Sequence, residues 1–157
     1  MLHVIVHAAP RELTAGGDFI WRQQTLAALD CPATRLHAPL TVTFEAAFAQ
    51  LERLPQMFCE PDGWFDWTSP PHSAVWQLAG QLHDRGPQLG HVEVKITGAL
   101  PTERWDEFCA ALGWPAQRLV LQLVSAGVVL EEASFRQLLE LHRAAVIHDA
   151  LGGGGDR

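Results

Sequence analysis

WQLAGQLHDRGPQLGHVEVKIT, residues Trp76 to Thr97, alternates between two kinds of side chain. Even positions Trp76, Leu78, Leu82, Val92, Val94 and Ile96 are apolar, and odd positions Gln77, Gln81, His83, His91, Glu93, Lys95 and Thr97 are polar. Successive side chains on a strand point to opposite faces, so this pattern predicts a two-stranded ribbon with one dry face and one wet face. With the loop over Asp84–Gly90, His83 sits opposite His91 and Glu93 lies across from Gln81. A one-residue slip would turn each side chain to the wrong face.

The ribbon extends upstream. Pro61-Asp62-Gly63 is turn chemistry, with Pro suited to the first central position and Gly ending the turn. Strands are expected at Trp64–Thr68, Ala74–His83 and His91–Thr97, joined by short loops into an antiparallel meander. Downstream, Pro101 and Thr102 open a helix that closes at Gly113, with Trp105, Phe108, Cys109 and Leu112 as its apolar stripe. Glu103 and Asp106 near its start suit the helix dipole. Leu119–Val124 is apolar on both faces, as a central strand would be. A last helix is expected over Glu131–Leu151, followed by a flexible Gly-rich tail at 152–157.

The first sixty residues suggest a different rhythm. Leu2–His7 is a short apolar run, read as a buried strand. Asp18 is a good N-cap for a helix running to about Leu29. Thr34–Ala38 suggests a second strand, ended by Pro39. Thr43 caps a helix with Phe44, Ala47, Phe48, Leu51 and Leu54 on one stripe, stopped by Pro55. Gln56–Glu60 suggests a third strand. This order implies parallel strands with right-handed crossovers. The expected fold class is therefore α/β: a single domain over 1–151 with a mixed sheet, an N-terminal βαβαβ parallel part, then the antiparallel meander, then α-β-α.

Residues 2–60 resemble, in pattern, the opening of receiver-like and flavodoxin-like folds. In receivers an Asp at the end of the third strand accepts phosphate. Here that neighbourhood reads Phe58-Cys59-Glu60-Pro61-Asp62, and Ala8-Ala9-Pro10 follows the first strand in place of an acidic pair. Phosphotransfer is therefore not carried over. Nor is there a Gly-rich phosphate loop: Gly16-Gly17 is a lone pair.

The net charge of the 157 residues is -7, and its eleven basic residues form no run. Phosphate contacts need clustered Lys and Arg, so nucleic acid is not an expected partner. Hydrophobic residues make up 48% of the chain, enough for a packed core. No apolar run approaches the length of a membrane-spanning helix, and no basic-then-apolar leader opens the sequence, so a soluble cytoplasmic protein of bacterial type is expected. Cys31, Cys59 and Cys109 are odd in number and widely spaced, which fits buried thiols and no disulfide framework. Ser69, Ser73, Ser125 and Ser134 lack a nucleophile-elbow context.

Chemistry, if present, belongs on the wet ribbon face. Glu93-Val94-Lys95 puts a carboxylate and an ammonium on one side. A carboxylate can hold a divalent cation, and a nearby Lys can assist an attacking water. This triplet resembles the active-site half-motif of the PD-(D/E)xK nucleases, and residues 43–125 follow their element order. The resemblance implies a Mg²⁺- or Mn²⁺-dependent hydrolase with Glu93, Lys95 and, 31 positions upstream of Glu93, Asp62 as catalytic residues. The slots for a second acid across the strand hold Ala79 and Gln81. A second arrangement makes His83, His91 and Glu93 a metal site, with Zn²⁺ less favoured than Mg²⁺ or Mn²⁺ for the chain as a whole. Third, the aromatic group Trp64, Phe65, Trp67 and Trp76 must divide between two faces, which calls for helices on both sides or a partner on one. With no catalytic constellation complete, a non-catalytic interaction or regulatory domain is expected first, with a protein partner or self-association. The degenerate nuclease-like hydrolase is second.

Overall fold

A computed structural model describes residues 1–152. Nine strands form one sheet in the order β2-β3-β9-β8-β1-β7-β6-β5-β4. They are β1 (Leu2–Ala8), β2 (Ala15–Trp21), β3 (Gln24–Leu29), β4 (Met57–Cys59), β5 (Trp64–Thr68), β6 (Trp76–Arg85), β7 (Gln88–Gly98), β8 (Leu119–Leu123) and β9 (Val128–Glu131). Three α-helices accompany them: α1 (Phe44–Glu52), α2 (Thr102–Ala111) and α3 (Glu132–Gly152). All strand pairs are antiparallel.

The expected mixed sheet is therefore corrected: among the described residues there is no parallel βαβαβ part. Three local facts overturn it. The helix expected over Asp18–Leu29 is the hairpin β2–β3, turning at Arg22 and Gln23, which both take positive φ (44° and 68°). Two positive φ values make a two-residue turn whose twist suits a hairpin. Asn or Gly normally signals such a turn, and neither is present. The strand expected at Thr34–Ala38 is a 3-10 turn over Ala33–Arg35, followed by irregular chain whose Leu40 N–H bonds Leu89 O at 2.8 Å. The strand expected at Gln56–Glu60 does form, as β4, but Asp62 and Gly63 close a tight hairpin to β5. Asp62 Oδ1 accepts the Trp64 N–H at 3.0 Å, and Gly63 has φ +94°. A tight turn permits only antiparallel pairing.

The central ribbon has the register expected from the sequence: His83 opposes His91 and Gln81 opposes Glu93. The strands run further than expected, to a tight turn at Gly86-Pro87, with a register shift after His83. Thr43 caps α1 by accepting the Ala46 N–H at 3.1 Å. Strand β9 was not foreseen. It pairs with β8 through a turn in which Gly127 takes φ +66°.

One contiguous core lies between the sheet and the helices. Leu78, Leu82, Val92, Val94 and Ile96 of the ribbon are buried against Trp105, Phe108, Phe135, Leu138 and Leu139 of α2 and α3. Strand β1, in the middle, contributes Leu2, Val4 and Val6 to this side. Phe65 of β5 meets Phe108 with ring centroids 5.6 Å apart. Gly80, an inward position of β6, leaves the space that Phe65 fills. The Gly-rich tail was expected from residue 152 onward. Gly152 is the last residue of α3, and 153–157 lie outside the described residues.

Candidate functional site

The odd-numbered side of the ribbon faces away from the helices. Its central strands bring together residues from widely separated stretches of chain. Strand β1 supplies His3, Ile5 and His7, β7 supplies His91, Glu93 and Lys95, β6 supplies Ala79, Gln81 and His83, and β5 supplies Trp64 and Asp66. Strand β8 adds Gln122, the partner of Ile5 in register. Four of the chain's eight histidines gather here.

Their geometry is a stacked row. The His83 and His91 rings lie 4.4 Å apart at 16°, and His91 and His7 lie 5.8 Å apart at 29°. His7 Nε2 is 3.1 Å from Gln122 Oε1, so the ring donates Nε2–H to the amide oxygen. Burial lowers the His7 pKa below its ordinary value, and the Gln122 hydrogen bond opposes this in part. Burial also lowers that of His91, helped by the neighbouring His83 and His7 imidazoles and opposed by Glu93. The row therefore favours neutral rings at its inner end.

Glu93 is the hub. His3 Nε2 lies 2.7 Å from Glu93 Oε1, and His83 Nε2 lies 4.0 Å from Oε2. The first is a hydrogen bond and the second only a close approach, and both run diagonally, because His3 is in register with Lys95 and His83 with His91. Lys95 is exposed. Trp64, Ala79, Gly80, Gln81, Glu93 and Lys95 line an open depression of about 220 Å³, whose floor is low where the small residues Ala79 and Gly80 sit.

Of the residues singled out from the sequence, Glu93 and Lys95 share this depression, and His83 and His91 flank it. Asp62 does not join them. Its carboxylate caps the β4–β5 turn, and its carbonyl accepts Gln81 Nε2–H at 2.7 Å. The acid nearest in register to Lys95 is Asp66, across Ala79, and Gln77 Nε2 donates to its Oδ1 at 2.8 Å. Imidazole lone pairs lie in the ring plane, so stacked rings do not aim them at one point. Among the described residues no three His, Cys, Asp or Glu side chains converge as metal ligands.

The aromatics divide as alternation requires. Phe65, Trp67 and Trp76 are buried in the core, and Trp67 donates its indole N–H to Pro55 O at 2.8 Å. Trp64 takes the other face, edge-on to Phe58, which is 58% exposed. No cysteine is bonded to another, and burial with the nearby Glu52 carboxylate pushes the Cys59 thiol up to about 11. Such a thiol is a poor nucleophile.

No protein-family model, curated protein or solved structure matches this chain.

Sequence reasoning missed His3, His7, Asp66 and Gln122 as members of the face. The signal for the first two was present. Leu2-His3-Val4-Ile5-Val6-His7 places both histidines on the odd side, although the run reads as uniformly apolar. Asp66 and Gln122 carry no such mark, because their place depends on strand order. Among the described residues no helix is long and apolar enough to cross a membrane.

Proposed function

We propose that this chain is a non-catalytic interaction domain whose uncovered sheet face receives a protein partner. The supporting observation is the Phe58–Trp64 pair, an exposed aromatic anchor beside a half-buried field of His3, Gln81, His83, His91 and Glu93. Interfaces concentrate binding energy in aromatic anchors ringed by polar groups that exclude water.

A second reading, a Mg²⁺- or Mn²⁺-dependent hydrolase, is favoured by one observation: Glu93 and Lys95 line a common depression. Against it, His3 engages Glu93, and Asp62 serves its own turn. The two readings separate in one set of measurements. Proteins captured from a lysate of the source organism are compared between wild type and the Phe58→Asp, Trp64→Ala double variant. A partner retained by wild type and lost by the variant is expected; equal retention, or none by either, overturns the reading. In parallel, melting is followed with Mg²⁺, Mn²⁺ and Zn²⁺. A ligand that binds only the folded state raises the melting temperature by mass action. We expect no rise, and a rise that disappears in Glu93→Ala replaces the interaction reading with the hydrolase.

A further inference from the structure

A second surface lies on the helix side, at the β4 edge. Helix α1 turns Ala47 and Leu51 into the core and leaves Phe44 and Phe48, one turn apart, half-buried with ring centroids 6.2 Å apart. Between this helix and β4 runs a groove of about 430 Å³, lined by Phe44, Glu45, Phe48, Glu52, Cys59 and Pro61. A second recess continues from it past Asp62 and Asp84.

Two further features distinguish the groove from an ordinary surface dip. The first is charge. Glu45 and Glu52 line the groove, Asp62 and Asp84 line the recess that continues from it, all four are exposed, and none forms an ion pair among the described residues. Of the nearby cations, Arg85 turns its guanidinium to His37 O, and Arg53 follows the helix as its C-cap. The second is an open backbone. Strand β4 ends the sheet order, so one side of it has no strand partner. Glu60 N–H bonds Trp64 O, so the Glu60 amide points toward β5. Antiparallel pairs alternate, so Cys59, which lines the groove, directs its own N–H and C=O away from β5. An unpaired edge is a template for an added strand.

We propose that this groove docks an extended segment of a partner protein that carries an apolar side chain flanked by Lys or Arg. The apolar side chain lies on the Phe44 and Phe48 rings, and the cations meet Glu45 and Glu52 at the rim. The backbone of the segment pairs with Cys59. Opposite charge steers the encounter and selects the partner. This site stands apart from the sheet face and does not depend on it.

The test uses the full chain and two labelled peptides, one alternating lysine with leucine and one alternating glutamate with leucine, followed by fluorescence anisotropy. The lysine peptide is expected to bind, more weakly as salt rises, and the glutamate peptide is not. Glu45→Lys with Glu52→Lys, both at exposed positions, is expected to weaken binding by at least about ten-fold. Glu103→Lys with Glu140→Lys, also exposed but on α2 and α3, makes the same change in net charge and is expected to leave affinity within about two-fold. Equal loss in the two double variants, or no binding of the lysine peptide, overturns the proposal. Self-association in sedimentation that the groove variant alone abolishes also overturns it, by making a second copy the occupant.

Discussion

His3 Nε2 donates to Glu93 Oε1 at 2.7 Å, tying the first strand to one whose residues come ninety positions later. The bond crosses the register diagonally, on the face opposite the helices. Its side chains are 29% and 35% exposed, so water competes for both. Glu93→Ala should therefore cost no more than about 1 kcal/mol in urea denaturation. A much larger loss would show that the carboxylate organises the whole histidine row.

Val94 and Lys95 are neighbours with opposite fates. Val94 is fully buried and Lys95 exposed. Val94→Asp puts an unpaired charge into the core and should cost at least about 4 kcal/mol, enough to leave much of the chain unfolded. Lys95→Ala should stay within about 0.5 kcal/mol. Denaturant midpoints of the two variants check this, and equal tolerance contradicts the two-faced ribbon.

Gly80 is constrained by space and not by backbone angle. A Cβ there would collide with the Glu93 carbonyl and come within 2.8 Å of Phe65 Cζ. Neither the β7 backbone nor a ring packed on Phe108 moves easily. Gly80→Ala is expected to destabilise by about 2 kcal/mol or more. Thermal melting that matches wild type would refute the close packing of Phe65 on β6.

His142 of α3 is buried, and neither ring nitrogen has a partner among the described residues. Burial, then the positive N-terminus and Arg22, hold its pKa below the ordinary 6.5. His7 and His91 are shifted the same way. A histidine with a lowered folded pKa binds fewer protons folded than unfolded. Stability is thus full above about pH 6.5 and declines as the pH falls below it. Denaturation at stepped pH should show this slope. His142→Leu should flatten it and add about 1 kcal/mol at pH 7, since an unsatisfied buried group is removed. A variant less stable than wild type at both ends of the range contradicts this.

What the sequence made legible was local. Alternation in Trp76–Thr97 predicted both faces and the His83–His91 pairing, because a half-buried strand records its faces in a period of two. The Thr43 cap was visible for the same reason: one side chain meets one nearby amide. What failed depended on longer range. Arg22 and Gln23 adopt turn angles without the residues that usually announce them, so the sequence reads as a helix where the chain forms a hairpin. Strand direction followed from that error, since a helix between strands suggests a crossover. Asp66 joins the face only because β5 lies two strands from β7, a fact of sheet order that no local pattern carries.

The middle position of β1 has a consequence for synthesis. This strand leaves the ribosome before the other eight described strands, yet its two neighbours are Gln88–Gly98 and Leu119–Leu123. Until the second of these appears, the nascent chain holds Leu2, Val4 and Val6 without their final cover. Pairings so distant close slowly and leave apolar strands open to chaperones and to aggregation. Stalled chains ending before Leu119 should yield Leu2–Ala8 to protease, and chains extended past α3 should protect that strand.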